Sequence, residues 1–182
     1  MHVDIWIEQD RDVLAIEFKY KTRALQVLVE NEQYALWSQT AQDLGKYDFI
    51  KNIGRVENIV TDRAPRASAY VILLTNDPSY WMQSRNDNTA DVRFRLHEGN
   101  TLHGGLGWGP GASAGTTRGR EELLQIGGSY ALQWEDYSRV GGGSYGELRY
   151  LVVEVKGRVA TQVSDPSGAG THWYAMTKKL SD

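Results

Sequence analysis

Asp4 and Glu17 are the residues whose types and spacing first point to chemistry. Residues 3 to 8 (Val-Asp-Ile-Trp-Ile-Glu) and 13 to 20 (Val-Leu-Ala-Ile-Glu-Phe-Lys-Tyr) alternate with period two around the polar Gln9-Asp10-Arg11-Asp12. That pattern predicts a β-hairpin. With the four polar residues as the loop, opposed residues have numbers summing to 21, so Asp4 stands opposite Glu17. Directly opposed Cβ atoms lie roughly 4.5 to 5.5 Å apart, where like charges are destabilising unless something neutralises them. A divalent cation would do so. Carboxylate oxygens suit Mg2+ or Mn2+, hard ions that keep several waters and share their remaining positions with substrate phosphate. Lys19, two residues past Glu17, shares its face. An ammonium there could polarise an attacking water or stabilise charge on a phosphorane-like transition state.

A plainer role fits the same residues: the solvated side of an amphipathic hairpin, with Lys19 screening the acids. The pairing that joins Asp4 to Glu17 makes the other hairpin face wholly apolar, with Ile7 opposite Leu14, Ile5 opposite Ile16 and Val3 opposite Phe18.

Further elements must position this cluster. Leu25 to Glu30 and Gln33 to Trp37 form a second short hairpin around Asn31-Glu32. A helix is expected to start at Ser38, a good N-cap, and to break or kink at Gly45. From Lys46 to about Val60, apolar Ile50, Ile53, Val56 and Val60 follow helical spacing, with Asp48, Lys51 and Arg55 on another face. Ala69 to Thr75 is a continuous apolar run that reads as a buried strand behind this helix. Strand-like sequence returns at Val92 to Leu96, Thr101 to Trp108, Leu123 to Ile126, Tyr130 to Tyr137 and Leu148 to Val155. This predicts an antiparallel β elaboration over about 90–160. The glycine-dense segments 104–119 and 141–146 read as loops; no Gly-Lys-Ser/Thr follows either, so neither is a Walker loop.

Asp4, twelve intervening residues and Glu17-Phe18-Lys19 on two successive strands resemble the motif of the PD-(D/E)xK nuclease superfamily. The order of the following helix and the Ala69 to Thr75 strand is similar as well. The segments Ile16 to Thr22, Gly45 to Phe49 and Leu74 to Pro78 resemble uncharacterised bacterial members, and the likeness covers roughly residues 2 to 80. The resemblance implies an α/β, restriction-endonuclease-like mixed sheet with flanking helices. It also implies that Asp4 and Glu17 bind Mg2+ (or Mn2+), that Lys19 assists the attacking water, and that the substrate is a phosphodiester of DNA. Val3 replaces the proline of the motif. The family core begins with a helix and a strand before the Asp-bearing strand, whereas Met1 stands three residues before Asp4. Either the chain is a version shortened at its N-terminus, or a C-terminal strand or second protomer covers the exposed edge. A homodimer would suit a nuclease that cuts both strands. The rival reading is a noncatalytic module on the same fold that binds nucleic acid or protein.

Asp48, Lys51 and Arg55, at i, i+3 and i+7, could turn one helix face toward the hairpin and its substrate, or could be an ordinary ion-pair stripe. Gln39, near the expected helix start, is a further substrate-binding candidate. His97 and His103 flank a turn, although two histidines with no third ligand type are more often surface residues. Arg118 and Arg120 could hold phosphate, and Trp81, Trp108 and Trp134 could stack bases, but solvated loop charge and burial are the simpler readings.

Composition narrows the alternatives. The 182 residues, 41% hydrophobic, suit one domain (1–182) with a real core. Six Trp, ten Tyr and nineteen Gly against four Pro favour strand-rich architecture over a helical bundle. The absence of Cys excludes disulfides, thiolate metal sites and cysteine nucleophiles, and with no apolar run of membrane length the expected location is the cytoplasm. The net charge of −3 argues mildly against nucleic acid, but Lys46 to Arg66 carries a local excess of positive charge. Gly-x-Ser-x-Gly does not occur, which argues against serine-hydrolase chemistry. Paired-carboxylate glycosidase chemistry normally lacks a Lys two residues past its acid.

Overall fold

The alternating N-terminal runs fold as an antiparallel hairpin of β1 (Ile5–Gln9) and β2 (Asp12–Lys21) in the computed structural model, which describes residues 3–63, 66–141 and 143–156. Ile5 pairs with Ile16, Ile7 with Leu14 and Glu8 with Val13, the register expected from the loop length. The turn is tighter than the polar run suggested, because Gln9 and Asp12 are themselves paired and Asp10 takes a positive φ of 56°. A second hairpin, β3 (Leu25–Val29) and β4 (Glu32–Leu36), stands apart as its own two-stranded sheet. Its turn residues Glu30 and Asn31 both have positive φ, the backbone that a two-residue hairpin turn of matching twist requires.

One continuous helix, α1 (Gln42–Arg63), replaces the two-part helix expected from Ser38. Residues 38–41 are not helical, and Ala41 at φ 63° turns the chain into the helix. Gly45 does not break α1. A Cβ there would overlap the Tyr80 hydroxyl, so the glycine permits close packing rather than ending the helix. The chain then enters β5 (Ala67–Thr75), parallel to β2, with Glu17 level with Val71 and Lys19 with Leu73.

The second half departs further from expectation. Val92–Phe94 is a single turn of 3-10 helix rather than a strand, although Phe94 and Leu96 are fully buried. β6 (Thr101–Leu106) pairs with β7 (Leu124–Ala131) as a ribbon, with the four-residue helix α2 (Ala114–Thr117) in the loop between them. The expected strand Tyr130 to Tyr137 is divided between the end of β7 and β8 (Trp134–Arg139). β8 and β9 (Glu147–Lys156) are no separate elaboration: β9 pairs antiparallel with β5 and completes a five-stranded mixed sheet of order β1-β2-β5-β9-β8. Residues 157–160 of the expected elaboration lie outside the described residues. The class is thus mixed α/β, with one long helix among the described residues; no helix among them is long and apolar enough to cross a membrane.

The long helix covers one face of the sheet. Val13 and Ala15 of β2, Ala69, Val71 and Leu73 of β5, and Leu151, Val153 and Val155 of β9 are buried with Phe49, Ile53, Val56 and Val60 of α1. Burying each larger aliphatic side chain contributes roughly 1.5–3 kcal/mol. The other sheet face is the apolar one of the hairpin, and the described residues leave it partly exposed: Ile7 is 51% and Phe18 45% exposed. Glu17 shares the covered face and is only 3% exposed. The polarity inferred from alternation is therefore inverted in space. The apolar set faces outward, and the acid faces the helix.

Candidate active site

Glu17 sits midway along β2, where an inward-facing residue meets the side of α1 nearest the N-terminal hairpin. Two helix residues three positions apart, hence neighbours on one helical face, reach it. Asn52 donates from Nδ2 to Glu17 Oε2 at 3.4 Å, and the guanidinium of Arg55 forms an ion pair with Oε1. Arg55 also donates to Asn52 Oδ1 at 3.3 Å, closing a three-residue cluster. The ion pair is close but poorly directed, since Glu17 Oε1 accepts no aligned hydrogen bond and Arg55 Nε has no partner.

Asp4 lies one step beyond the last paired position of β1, on the side of Glu17 away from β5. Its Oδ2 accepts the backbone N–H of Phe18 at 2.7 Å, which anchors the carboxylate beside β2. Burial pushes the Glu17 carboxyl above the ordinary range and Asp4 adds to that shift, while Arg55 and Lys19 oppose it. All three charged neighbours thus act on the one buried acid. Further along the same hairpin face, Arg63 of α1 lies over the Trp6 ring at 5.6 Å and within 3.9 Å of Glu8. A row of helix cations therefore overlies the acids of the hairpin.

The donor set suits a hard divalent ion. Glu17 offers a buried oxygen that meets Arg55 without an aligned hydrogen bond, Asp4 offers a second carboxylate, and the chain has no Cys to favour a softer metal. Only these two acids are involved, and among the described residues no group of three or more His, Asp or Glu is arranged to hold a metal. Solvent or substrate oxygens would have to complete the coordination, as is usual for Mg2+.

The remaining candidates fall elsewhere. Asp48 takes a bidentate pair from Arg120 at 2.8 and 3.0 Å, and Lys51 reaches Glu122 at 3.2 Å, so both point to the loop before β7 and only Arg55 of the expected stripe meets the hairpin. This contact also assigns Arg120 a structural partner in place of phosphate. Arg118 is exposed at the end of α2. Gln39 donates its backbone N–H to Thr22 O, which places it beside Thr22, just past the C-terminal end of β2 and five residues after Glu17. His103 is level with Ser129 of β7, and His97 Nδ1 lies against Glu98 O, so the two do not form a cross-hairpin pair. Trp81 and Trp134 are buried, Trp108 stacks on Tyr47 at 5.5 Å, and among the described residues Trp37 is exposed at 84% and Trp6 at 38%.

Asn52 is the site residue missed in the sequence. Its only signal there is a position three residues before Arg55, which becomes meaningful once α1 is known to lie over Glu17. Compared with protein-family models, curated proteins and solved structures, the chain matches none.

Proposed function

We propose that this protein is a metal-dependent nuclease that hydrolyses phosphodiester bonds, with DNA as the substrate. The observation that carries the reading is Glu17: a carboxylate buried on the helix-facing side of β2, one oxygen of which meets Arg55 in an ion pair without an aligned hydrogen bond, with a second acid, Asp4, anchored beside β2. Burying such a group is costly unless a cation stabilises its charged form. Asp4 and Glu17 would hold Mg2+ or Mn2+, which when bound supplies Lewis-acid activation of a water and of the phosphoryl oxygen. Lys19, on the same strand face, orients the attacking water and stabilises the negative charge that accumulates on the phosphoryl oxygens. As the new P–O bond forms, the bond to the leaving sugar oxygen breaks; the water gives up a proton and the leaving oxygen takes one from solvent. The hairpin and β5 fix these groups on rigid strands, so their spacing is preorganised.

One observation favours a second reading. Arg55 already neutralises Glu17, and a guanidinium that stayed in place would leave a noncatalytic module that binds nucleic acid or protein. Cleavage of plasmid or oligonucleotide substrates with Mg2+ or Mn2+ separates the two. The nuclease reading expects cleavage by the wild-type chain and its loss in Glu17→Ala and Lys19→Ala. Cleavage that persists in both variants removes the assigned site, and absence of both cleavage and divalent-ion binding at millimolar concentration leaves the noncatalytic module.

A further inference from the structure

Arg55 meets its acid in a geometry unlike that of Arg120. Arg120 grips Asp48 through two aligned hydrogen bonds, the fork geometry expected of a structural pair. Arg55 meets Glu17 without alignment, has an unpartnered Nε, and is otherwise held by one long hydrogen bond to Asn52. Its side chain is 40% exposed, whereas that of Glu17 is 3% exposed. It also lines a groove of about 1110 Å3 between α1 and β7, bordered by Lys51, Glu57 and Gln125. The guanidinium therefore has solvent and space to move into, while the carboxylate has neither. The charge that must remain is that of the acid; the charge that could leave is that of the arginine.

We infer that Arg55 is an exchangeable internal counter-ion: it pairs with Glu17 when no metal is bound and gives way to a divalent cation at the Asp4–Glu17 pair. This rests on the metal-site reading above and adds a positioning role for a helix residue. It has a thermodynamic consequence. A site already occupied by its own arginine is competent for metal only in the fraction of molecules in which Arg55 has swung away, and the apparent dissociation constant is raised by that fraction. If the contact is worth one to two kcal/mol, its removal tightens metal binding by about 5- to 30-fold.

The test is Mn2+ binding, followed by calorimetry and by the paramagnetic resonance of the ion, at pH 8 with no nucleic acid present. Arg55→Gln is expected to bind Mn2+ about 5- to 30-fold more tightly than wild type. Arg55→Lys, which keeps the charge on a shorter fork-less side chain, should fall between them, and Glu17→Gln should abolish the response. Thermal melting of each variant verifies that it is folded; should Arg55→Gln fail to fold, the wild-type and Arg55→Lys isotherms still rank the competing cations. Equal or weaker binding by both Arg55 variants overturns the exchange, while a wild-type isotherm lost in Glu17→Gln keeps the metal site. No Mn2+ response in any folded chain overturns both.

Discussion

The carboxylate of Asp4 accepts the backbone N–H of Phe18 at 2.7 Å, one residue past Glu17. Asp4 is therefore both a positioning contact and a charge, and the two roles separate by substitution. Asp4→Asn keeps an oxygen acceptor, so the melting temperature should stay near wild type while Mn2+ affinity falls at least ten-fold. Asp4→Ala should lose the affinity and also cost about 0.5–1.5 kcal/mol in urea unfolding, the usual net worth of one hydrogen bond. An Asp4→Asn variant with wild-type metal affinity would remove Asp4 from the site.

Glu17 makes the stability depend on pH in a direction opposite to that of a typical salt-bridged acid. Burial raises its folded-state value above the ordinary carboxyl range. The folded chain therefore binds more protons than the unfolded chain between the two values. The stabilisation from that extra proton is present at low pH and is lost as pH rises through the folded value. Urea unfolding of wild type and Glu17→Gln between pH 4 and 8 should show the difference shifting in favour of Glu17→Gln as pH rises. A difference that does not change with pH would contradict a raised value.

Glu57 ties the β6–β7 ribbon to α1. Its carboxylate accepts the backbone N–H groups of Gly127 and Gly128 at 2.9 and 2.7 Å and the Tyr130 hydroxyl at 2.7 Å. Glu57→Ala removes the shared acceptor and should destabilise the protein by about 1–3 kcal/mol. Hydrogen exchange should localise the added opening to 124–131.

At Gly45 the ordinary helix rule should reverse. Gly→Ala within a helix normally stabilises by about 1 kcal/mol. Here the added methyl meets the buried Tyr80 hydroxyl, and overpacking costs typically about 1–3 kcal/mol. Gly45→Ala alone should lower stability. In a Tyr80→Phe background, where the obstructing oxygen is gone, the same change should cost less or turn favourable; additive effects in this double-mutant cycle would rule out the contact.

The local pattern alone was sufficient for the first hairpin and its register, because a period-two pattern on both sides of a short polar turn leaves one pairing that keeps like residues on one face. The same holds for the existence of α1, whose apolar spacing runs over four turns, and for β5, a long β-branched apolar run. Which hairpin face is buried could not be read this way. Alternation says which side chains lie together, not which side the helix will cover, and that choice depends on where β5 and β9 join the sheet. Gly45 was misread for a related reason: a glycine that ends a helix and one that admits a neighbouring ring look alike until Tyr80, 35 positions away, is in place.

The candidate site divides along the same line. The hairpin register that brings Asp4, one residue before β1, beside β2 and puts Glu17 and Lys19 on one face follows from the local pattern, since strand geometry is local. The burial of Glu17, its contacts with Arg55 and Asn52, and the turn of Asp48 and Lys51 toward Arg120 and Glu122 arise from the packing of distant segments. Those outcomes depend on how α1 is rotated on the sheet and on which side of it the β6–β7 ribbon packs. Both are set by contacts between segments far apart in the chain, and no local period encodes them.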